Sequence, residues 1–187
     1  MFQHVVTLCS FVFAIALTHI FASTTELIRE RGRVVFSWLL GLWMLNSALS
    51  LLVNWIALLQ LEKLKEWSIG EILNQLSWVI PQYFTASLVS MRVPENGTVD
   101  MRDFYDKQRP VLFSAYVVLM ITSMTGNFFD RNNNETWKPG DWIGAELLVL
   151  PMLIAAIVAG WAKPRSLQWI AALGMVGLQL WFLIAYQ

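Results

Sequence analysis

The chain has 187 residues, of which 57% are hydrophobic and 14% are charged. Soluble domains carry roughly 25% charged residues, and the deficit here falls in long uncharged runs, which excludes a water-soluble globular protein. The formal net charge is zero, so nothing indicates a nucleic-acid partner. The single cysteine, Cys9, excludes an internal disulfide and any multi-cysteine metal site. We expect neither a metal nor another cofactor.

Six segments are long and apolar enough to cross a bilayer, whose hydrocarbon core of about 30 Å needs roughly 20 apolar residues per helix. The apolar runs are continuous rather than alternating, which favours helices over barrel strands. The sequence therefore predicts an all-α, polytopic integral membrane protein, with six transmembrane helices in one compact bundle. The predicted spans are 5–25, 34–61, 69–91, 111–129, 142–162 and 166–187.

Two further expectations concern the segments around these spans. The start, "MFQHVV", has no Lys or Arg, whereas a cleavable signal peptide needs a positive first region, so we expect the first apolar segment to be a retained helix. The longest polar stretch, "RVPENGTVDMRDFYDKQRP" at 92–110, is predicted to be a connecting loop.

Basic residues are divided unequally between the two sets of loops. The loops after the first, third and fifth spans hold nine, which are Arg29, Arg31, Arg33, Arg92, Arg102, Lys107, Arg109, Lys163 and Arg165. The opposite loops hold four, which are Lys63, Lys65, Arg131 and Lys138. Because cytoplasmic loops carry the excess of Lys and Arg, we expect both termini to lie outside. We take the membrane to be a bacterial inner membrane.

Two pairs of spans begin with similar sequences. "WSIGEIL" at 67–73 resembles "WIGAELL" at 142–148, and "RVVFSW" at 33–38 resembles "RPVLFSA" at 109–115. One interpretation is a tandem duplication of helical hairpins that run in the same direction, which disfavours an inverted-repeat carrier. The alternative is that membrane helices converge on Trp, Gly and Leu by composition alone.

Small residues mark two candidate contacts between helices. The group on the fifth span consists of Ala155, Ala156, Ala159 and Gly160. The group on the sixth span consists of Gly174 and Gly177. Small side chains let two helix backbones approach closely, so we interpret both groups as packing faces.

Polar side chains inside the predicted spans are the candidates for function, because they are costly to place in hydrocarbon. Asn46, Ser50 and Asn54 recur every four residues on the second span, so they share one helix face. That face is either a water-facing or ion-facing wall or a seam of hydrogen bonds between helices. On the third span, Gln82 and Tyr83 either line a cavity or satisfy their own hydrogen bonds.

A histidine on the first span raises a similar choice. His19, Ser23 and Glu26 are spaced four and three residues apart, so they share a face that ends at the first arginine cluster. A histidine near a carboxylate relays protons or senses pH. The alternative is a neutral histidine that is hydrogen-bonded inside the bundle. We expect His19 to lie against protein rather than lipid.

Two glutamates lie within the repeated motif, near the predicted outer ends of the third and fifth spans. Glu71 and Glu146 each lie within about one turn of a predicted span's start. A carboxylate in the first turn is stabilised by the helix dipole. The functional interpretation is an outer vestibule that concentrates cations, as acidic rings do in cation pores.

The sequence leaves two classes of function open. One is a small oligomeric channel or permeation protein, in which subunits are needed because six helices leave little room for an internal pore. The other is an accessory or scaffold subunit that binds membrane lipids or another membrane protein. An intramembrane enzyme ranks third, because the sequence contains no nucleotide-binding glycine loop, no His-Glu-x-x-His and no Gly-x-Ser-x-Gly.

Overall fold

The computed structural model describes residues 2–59, 68–133 and 139–185, with the side chains of 2–59, 68–126 and 146–184. The predicted all-α class is confirmed, since 87% of the described residues are helical, in six described helices. They are α1 (Phe2–Arg29), α2 (Trp38–Leu59), α3 (Ile69–Val89), α4 (Met101–Asn133), α5 (Pro139–Trp161) and α6 (Arg165–Ala185). Two short strands, β1 (Val34–Val35) and β2 (Val99–Asp100), lie in the connecting segments.

Five of the helices form a ring, and α1 packs outside it. Around the ring, α2 contacts α3, α3 contacts α4, α4 contacts α5, α5 contacts α6, and α6 returns to α2. α1 packs against α2 and α3 only, apart from minor contacts. Because successive helices run in opposite directions, the connecting segments 30–37, 90–100 and 162–164 meet at one end. We call this the arginine end.

Four helices are long and apolar enough to cross a membrane by length and composition. They are Phe2–Arg29, Trp38–Leu59, Met101–Gly126 and Arg165–Ile184. The described part of α5 adds a shorter apolar stretch, Glu146–Trp161. α3 is interrupted by polar residues, of which Glu71, Gln75 and Gln82 are buried. Parts of the sequence predictions lie outside the described residues. These parts are the ends of two predicted spans, 60–61 and 186–187, and the basic residues Lys63, Lys65 and Lys138. The side chain of Arg131 is also outside them.

The start of α4 differs from the sequence prediction. Residues 101–110, assigned to a loop from their polarity, form the first turns of a helix of 33 residues. Asp100 Oδ1 accepts a hydrogen bond from the Arg102 N–H at 2.7 Å, which satisfies a backbone donor at the helix start. Met101 and Tyr105, one turn apart, are 0% and 1% exposed. The loop prediction was wrong because this amphipathic segment buries one face against the bundle.

The arginine end is held together by contacts between two connecting segments. β1 and β2 pair in parallel, with Val34 opposite Val99. Arg33 extends this contact, because its guanidinium donates to the carbonyl oxygens of Pro94 and Glu95, each at 2.7 Å. These bonds join the segment after α1 to the segment after α3, although the two are about sixty residues apart in the chain.

A second pair of contacts ties helix ends together at the same end. The Ser23 hydroxyl of α1 donates to Met91 O at 2.7 Å and accepts from the Met91 N–H at 2.9 Å. Arg109 of α4 donates to the carbonyl oxygens of Gly160 and Ala162 at 2.8 and 3.0 Å. Those carbonyls terminate α5 and have no partner within their own helix, so the arginine caps it.

One of the two predicted small-residue faces is found. Gly160 of α5 lies so close to α4 that an added Cβ would be 2.8 Å from Phe113 Cβ. An added Cβ at Gly174 or Gly177 would meet no atom within 4 Å in the described part of the chain, so no described helix packs against the second predicted face and that face stays a prediction. α6 instead buries Ala172, Met175 and Gln179, which lie on a different side of the helix.

We predict that Gly160→Ala lowers the free energy of unfolding by about 1–3 kcal/mol, because the new methyl group forces α4 and α5 apart. Gly177→Ala is the matched control on an open surface, and it should be neutral or stabilising by about 0.5–1 kcal/mol. Thermal unfolding of the purified protein in detergent measures both variants. Equal melting temperatures for the two would contradict the close approach at Gly160.

We also predict that Ser23→Ala destabilises the protein by about 1–3 kcal/mol, because the buried Met91 N–H loses its partner. Thr24→Ala is the control, since the Thr24 hydroxyl donates only to Ile20 O in its own helix. The same unfolding measurement compares them. A larger loss for Thr24→Ala than for Ser23→Ala would show that the link between α1 and Met91 contributes little.

Candidate functional site

A cavity of about 150 Å³ lies inside the ring formed by α2–α6. Its walls are mostly apolar and include Val53, Ala57, Trp78, Met120, Leu148, Val149, Met152 and Phe182. Its polar lining consists of Ser50, Asn54, Gln75, Ser123 and Gln179. One buried water needs about 10–15 Å³ of such space, so this volume is large enough for several waters or one small organic molecule.

Two hydrogen bonds between helices involve polar residues of the cavity lining; one of the four bonded residues, Gln82, does not itself line the cavity. Gln179 Nε2 of α6 donates to Ser50 Oγ of α2 at 2.6 Å. Asn54 Nδ2 of α2 donates to Gln82 Oε1 of α3, also at 2.6 Å. Ser50 and Asn54 are four residues apart, so α2 presents both to the ring interior. We call Ser50, Asn54, Gln82 and Gln179 the polar strip.

Two amides of the polar strip retain an atom without a hydrogen-bond partner in the described part of the chain. These atoms are Gln179 Oε1 and Gln82 Nε2, and both side chains are 0% exposed. A buried polar atom left unpaired costs about 1–3 kcal/mol. Both atoms are themselves buried, so neither is accessible to a water-sized guest in the cavity.

An aromatic cluster lies between the cavity and the arginine end. The Trp43 ring lies 4.6 Å from Phe113 and 5.5 Å from Tyr116, between centroids, and all three side chains are 0% exposed. Tyr116 Oη is 2.6 Å from Ser47 Oγ, which fixes the cluster to α2. Such dense packing separates the cavity from the arginine end.

The polar face predicted on the second span bonds to neighbouring helices and also lines part of the cavity. Asn46 Nδ2 donates to Leu42 O of its own helix and to Ala172 O of α6, each at 3.1 Å. Ser50 and Asn54 each hydrogen-bond to a neighbouring helix and also line the cavity. The two interpretations drawn from the sequence therefore describe one helix face.

The predicted face of His19, Ser23 and Glu26 lies away from the cavity. His19 Nε2 is 3.4 Å from Tyr83 Oη, and the two rings are in edge contact at 5.7 Å. His19, Tyr83 and Glu26 are half-buried, and Ser23 is bonded to the Met91 backbone. None of these residues lines the cavity. The proton-relay and structural interpretations of His19 both remain predictions.

The two predicted vestibule glutamates occupy different positions in their helices. Glu71 is the third residue of α3 and forms a capping box with Ser68, whose N–H donates to Glu71 Oε2 at 2.5 Å. Glu146 is the eighth residue of α5, two turns from the helix start. Neither lines the cavity. The cation vestibule therefore remains a prediction, and the dipole explanation fits Glu71 better than Glu146.

Two cavity residues were missed from the sequence. Gln179 is the only amide in the apolar run 169–184, and that isolation was the signal that could have identified it, because a lone amide there needs a partner. Ser123 gave no signal, because serine is common in such helices and donates here to Leu119 O of its own helix.

No charged side chain is present among the described residues that line the cavity. Within the described ranges, no group of three or more His, Cys, Asp or Glu side chains is arranged to hold a metal ion. Comparisons of the chain with protein-family models, with curated proteins and with solved structures found no match. The cavity and its polar strip are thus the candidate site on which a function can be argued.

Proposed function

We propose that this chain is a six-span membrane protein that carries a small solute through the cavity inside its helix ring. The observation that supports this proposal is the cavity itself, which has an uncharged polar strip and is built by a single chain. The helix bundle presents large apolar side chains outward, for example Phe11 of α1, Ile154 of α5 and Ile170 of α6, which are 66%, 54% and 65% exposed. Apolar surface on every side suits contact with lipid chains.

The proposal includes α3 and α5 as spans. α3 has 21 residues and α5 has 23, which at 1.5 Å per residue gives each about 30 Å or more, the thickness of a hydrocarbon core. The polar residues Gln75, Gln82 and Thr85 of α3 are buried, whereas Leu73, Ile80 and Phe84 are 60%, 50% and 51% exposed. These three recur at helical spacing and form one apolar outer stripe.

We orient the protein with the arginine end in the cytoplasm and both termini outside, in a bacterial inner membrane. The support is the excess of nine basic residues over four in the sequence. Two tryptophans lie near that end, Trp38 and Trp161, and they are 74% and 54% exposed. Exposed tryptophans are typical of the membrane interface. Anionic lipid headgroups are the partners that these arginines would contact.

Permeation requires a change at the aromatic cluster. Trp43, Phe113 and Tyr116 close the side of the cavity that faces the arginine end, so a solute would pass only when these rings move apart. Because one chain forms the cavity, the proposal does not need a homo-oligomer to create a path, although a second copy or another membrane protein is compatible with the apolar outer surface.

The same aromatic cluster favours a second candidate function. A cavity closed at one end suits an accessory subunit that binds a small molecule or lipid and does not transport it. Permeation and accessory binding differ in one measurable quantity, which is solute flux. An enzyme is less well supported, because no acid, base or activated nucleophile is found among the described residues that line the cavity.

The orientation is tested by labelling single cysteines in a Cys9→Ala background with a membrane-impermeant thiol reagent. We predict that Gln3→Cys is labelled in intact cells and that Thr98→Cys, at the arginine end, is labelled only after lysis. Both positions are exposed. Thr98 is chosen over its neighbour Gly97 because Gly97 has a positive φ, which a cysteine there would adopt only with strain. Labelling of Thr98→Cys but not Gln3→Cys in intact cells would reverse the topology.

The flux is tested in proteoliposomes by stopped-flow light scattering with small neutral solutes such as glycerol and urea. We predict permeability above that of protein-free liposomes, and a loss of it in Ala57→Phe, which places a ring in the cavity wall. Leu52→Phe is the matched control, because Leu52 faces outward and is 45% exposed. Permeability equal to that of protein-free liposomes contradicts permeation and favours the accessory function.

A further inference from the structure

We infer that the cavity receives one uncharged, mostly apolar molecule about the size of benzene. This inference rests on the proposed function, since it names the class of molecule that the cavity receives, whether that molecule passes through or stays. The volume of about 150 Å³ sets the size, because an apolar cavity of about 150 Å³ engineered in another protein binds benzene or xenon.

The cavity wall offers apolar contact on every side. Each of the five helices of the ring contributes at least one apolar side chain to the lining, for example Val53, Trp78, Met120, Leu148 and Phe182. Such contacts stabilise a guest by dispersion and by removal of its apolar surface from water. Methionine and aromatic side chains also make favourable contacts with a flat ring. A compact apolar guest would therefore gain contacts with all five helices.

The polar strip is already engaged in bonds between helices. Ser50 and Gln179 bond to each other, and Asn54 bonds to Gln82. The two amide atoms that these bonds leave unpaired, Gln179 Oε1 and Gln82 Nε2, are buried and out of reach of a guest. The bonds hold the ring together, so a guest that took over one of these side chains would weaken the wall that encloses it.

The other two polar lining residues bond within their own helices. Gln75 Oε1 accepts from Trp78 Nε1 at 2.9 Å, and the Ser123 hydroxyl donates to Leu119 O at 2.9 Å. A polar guest would lose its hydrogen bonds to water and compete for side chains that already have partners. An apolar guest has no such bonds to lose and leaves those of the wall intact.

The charge of the lining excludes ionic guests. No charged side chain lines the described walls, so a carboxylate or ammonium guest would be buried without a counter-ion, at high cost. A sugar, which carries hydroxyl groups on every side, would leave several of them unpaired against the apolar part of the wall. The class that remains is a small uncharged molecule with mostly apolar surface.

The test compares fluorobenzene with para-fluorophenol, which carries one additional hydroxyl group, by fluorine NMR of the detergent-purified full chain. Binding is the saturable part of the signal change that excess benzene displaces, which separates it from partition into detergent. We expect the wild type to bind fluorobenzene roughly 5-fold or more tightly, relative to the free aqueous concentration of each probe, because the hydroxyl group loses its hydrogen bonds to water.

Two variants assign the binding to the cavity. Ala57→Phe on α2 and Val149→Phe on α5 each place a ring in the cavity wall, so each should abolish fluorobenzene binding. Leu52→Phe is the matched control, because Leu52 faces outward and is 45% exposed, and it should bind fluorobenzene as the wild type does.

The outcomes separate this inference from the proposed function. The inference is overturned if fluorobenzene fails to bind the wild type, if para-fluorophenol binds as tightly, or if both cavity variants still bind fluorobenzene. Solute flux would then leave the proposed function standing. Failure of both probes to bind the wild type, combined with no solute flux, overturns the proposed function as well. Fluorobenzene binding without solute flux supports the inference and favours the accessory function.

Discussion

The requirement that buried polar side chains be hydrogen-bonded fixes α2, and the rest of the ring is arranged around that helix. α2 carries Asn46, Ser47, Ser50 and Asn54, which bond to α6, α4, α6 and α3 respectively. An unpaired amide or hydroxyl in a dry interior costs more than most apolar contacts gain, so these pairs set which helix neighbours α2 at each level. Two of the four bonds join α2 to α6, the pair of helices that closes the ring.

The ring interior is divided into two parts with different packing. Near the arginine end, the buried rings of Trp43, Phe113 and Tyr116 pack against one another, and Gly160 lets α5 approach Phe113. Further along α2, small side chains such as Ser50 and Ala57 take the place of the large rings, and the cavity lies at that level. Its existence thus follows from a change in side-chain volume along one helix, while its polarity follows from the same hydrogen bonds that hold the ring.

The basic residues at the arginine end have a structural role in addition to the orientation that they predict. Arg33 joins two connecting segments through backbone carbonyls, and Arg109 caps the end of α5. Arg165 bonds to Asp106 at 2.5 Å and lies over the Tyr105 ring. A guanidinium suits this task because its fixed fork of donors reaches two carbonyls at once. These contacts join the connecting segments and helix ends that meet at the arginine end.

The sequence alone determined the all-α class, because long uncharged runs without alternation admit helices and little else. It also determined the shared face of Asn46, Ser50 and Asn54, because helical periodicity depends only on spacing. Only the tertiary structure decided that α1 lies outside the ring, which separates His19 from the cavity, since spacing along one helix does not specify which helix packs against it. It likewise decided that Gln179 meets Ser50 across 129 positions of sequence and that Glu71 caps α3 while Glu146 lies two turns inside α5. Those outcomes depend on contacts between distant segments, and a pattern within one segment carries no information about its partner.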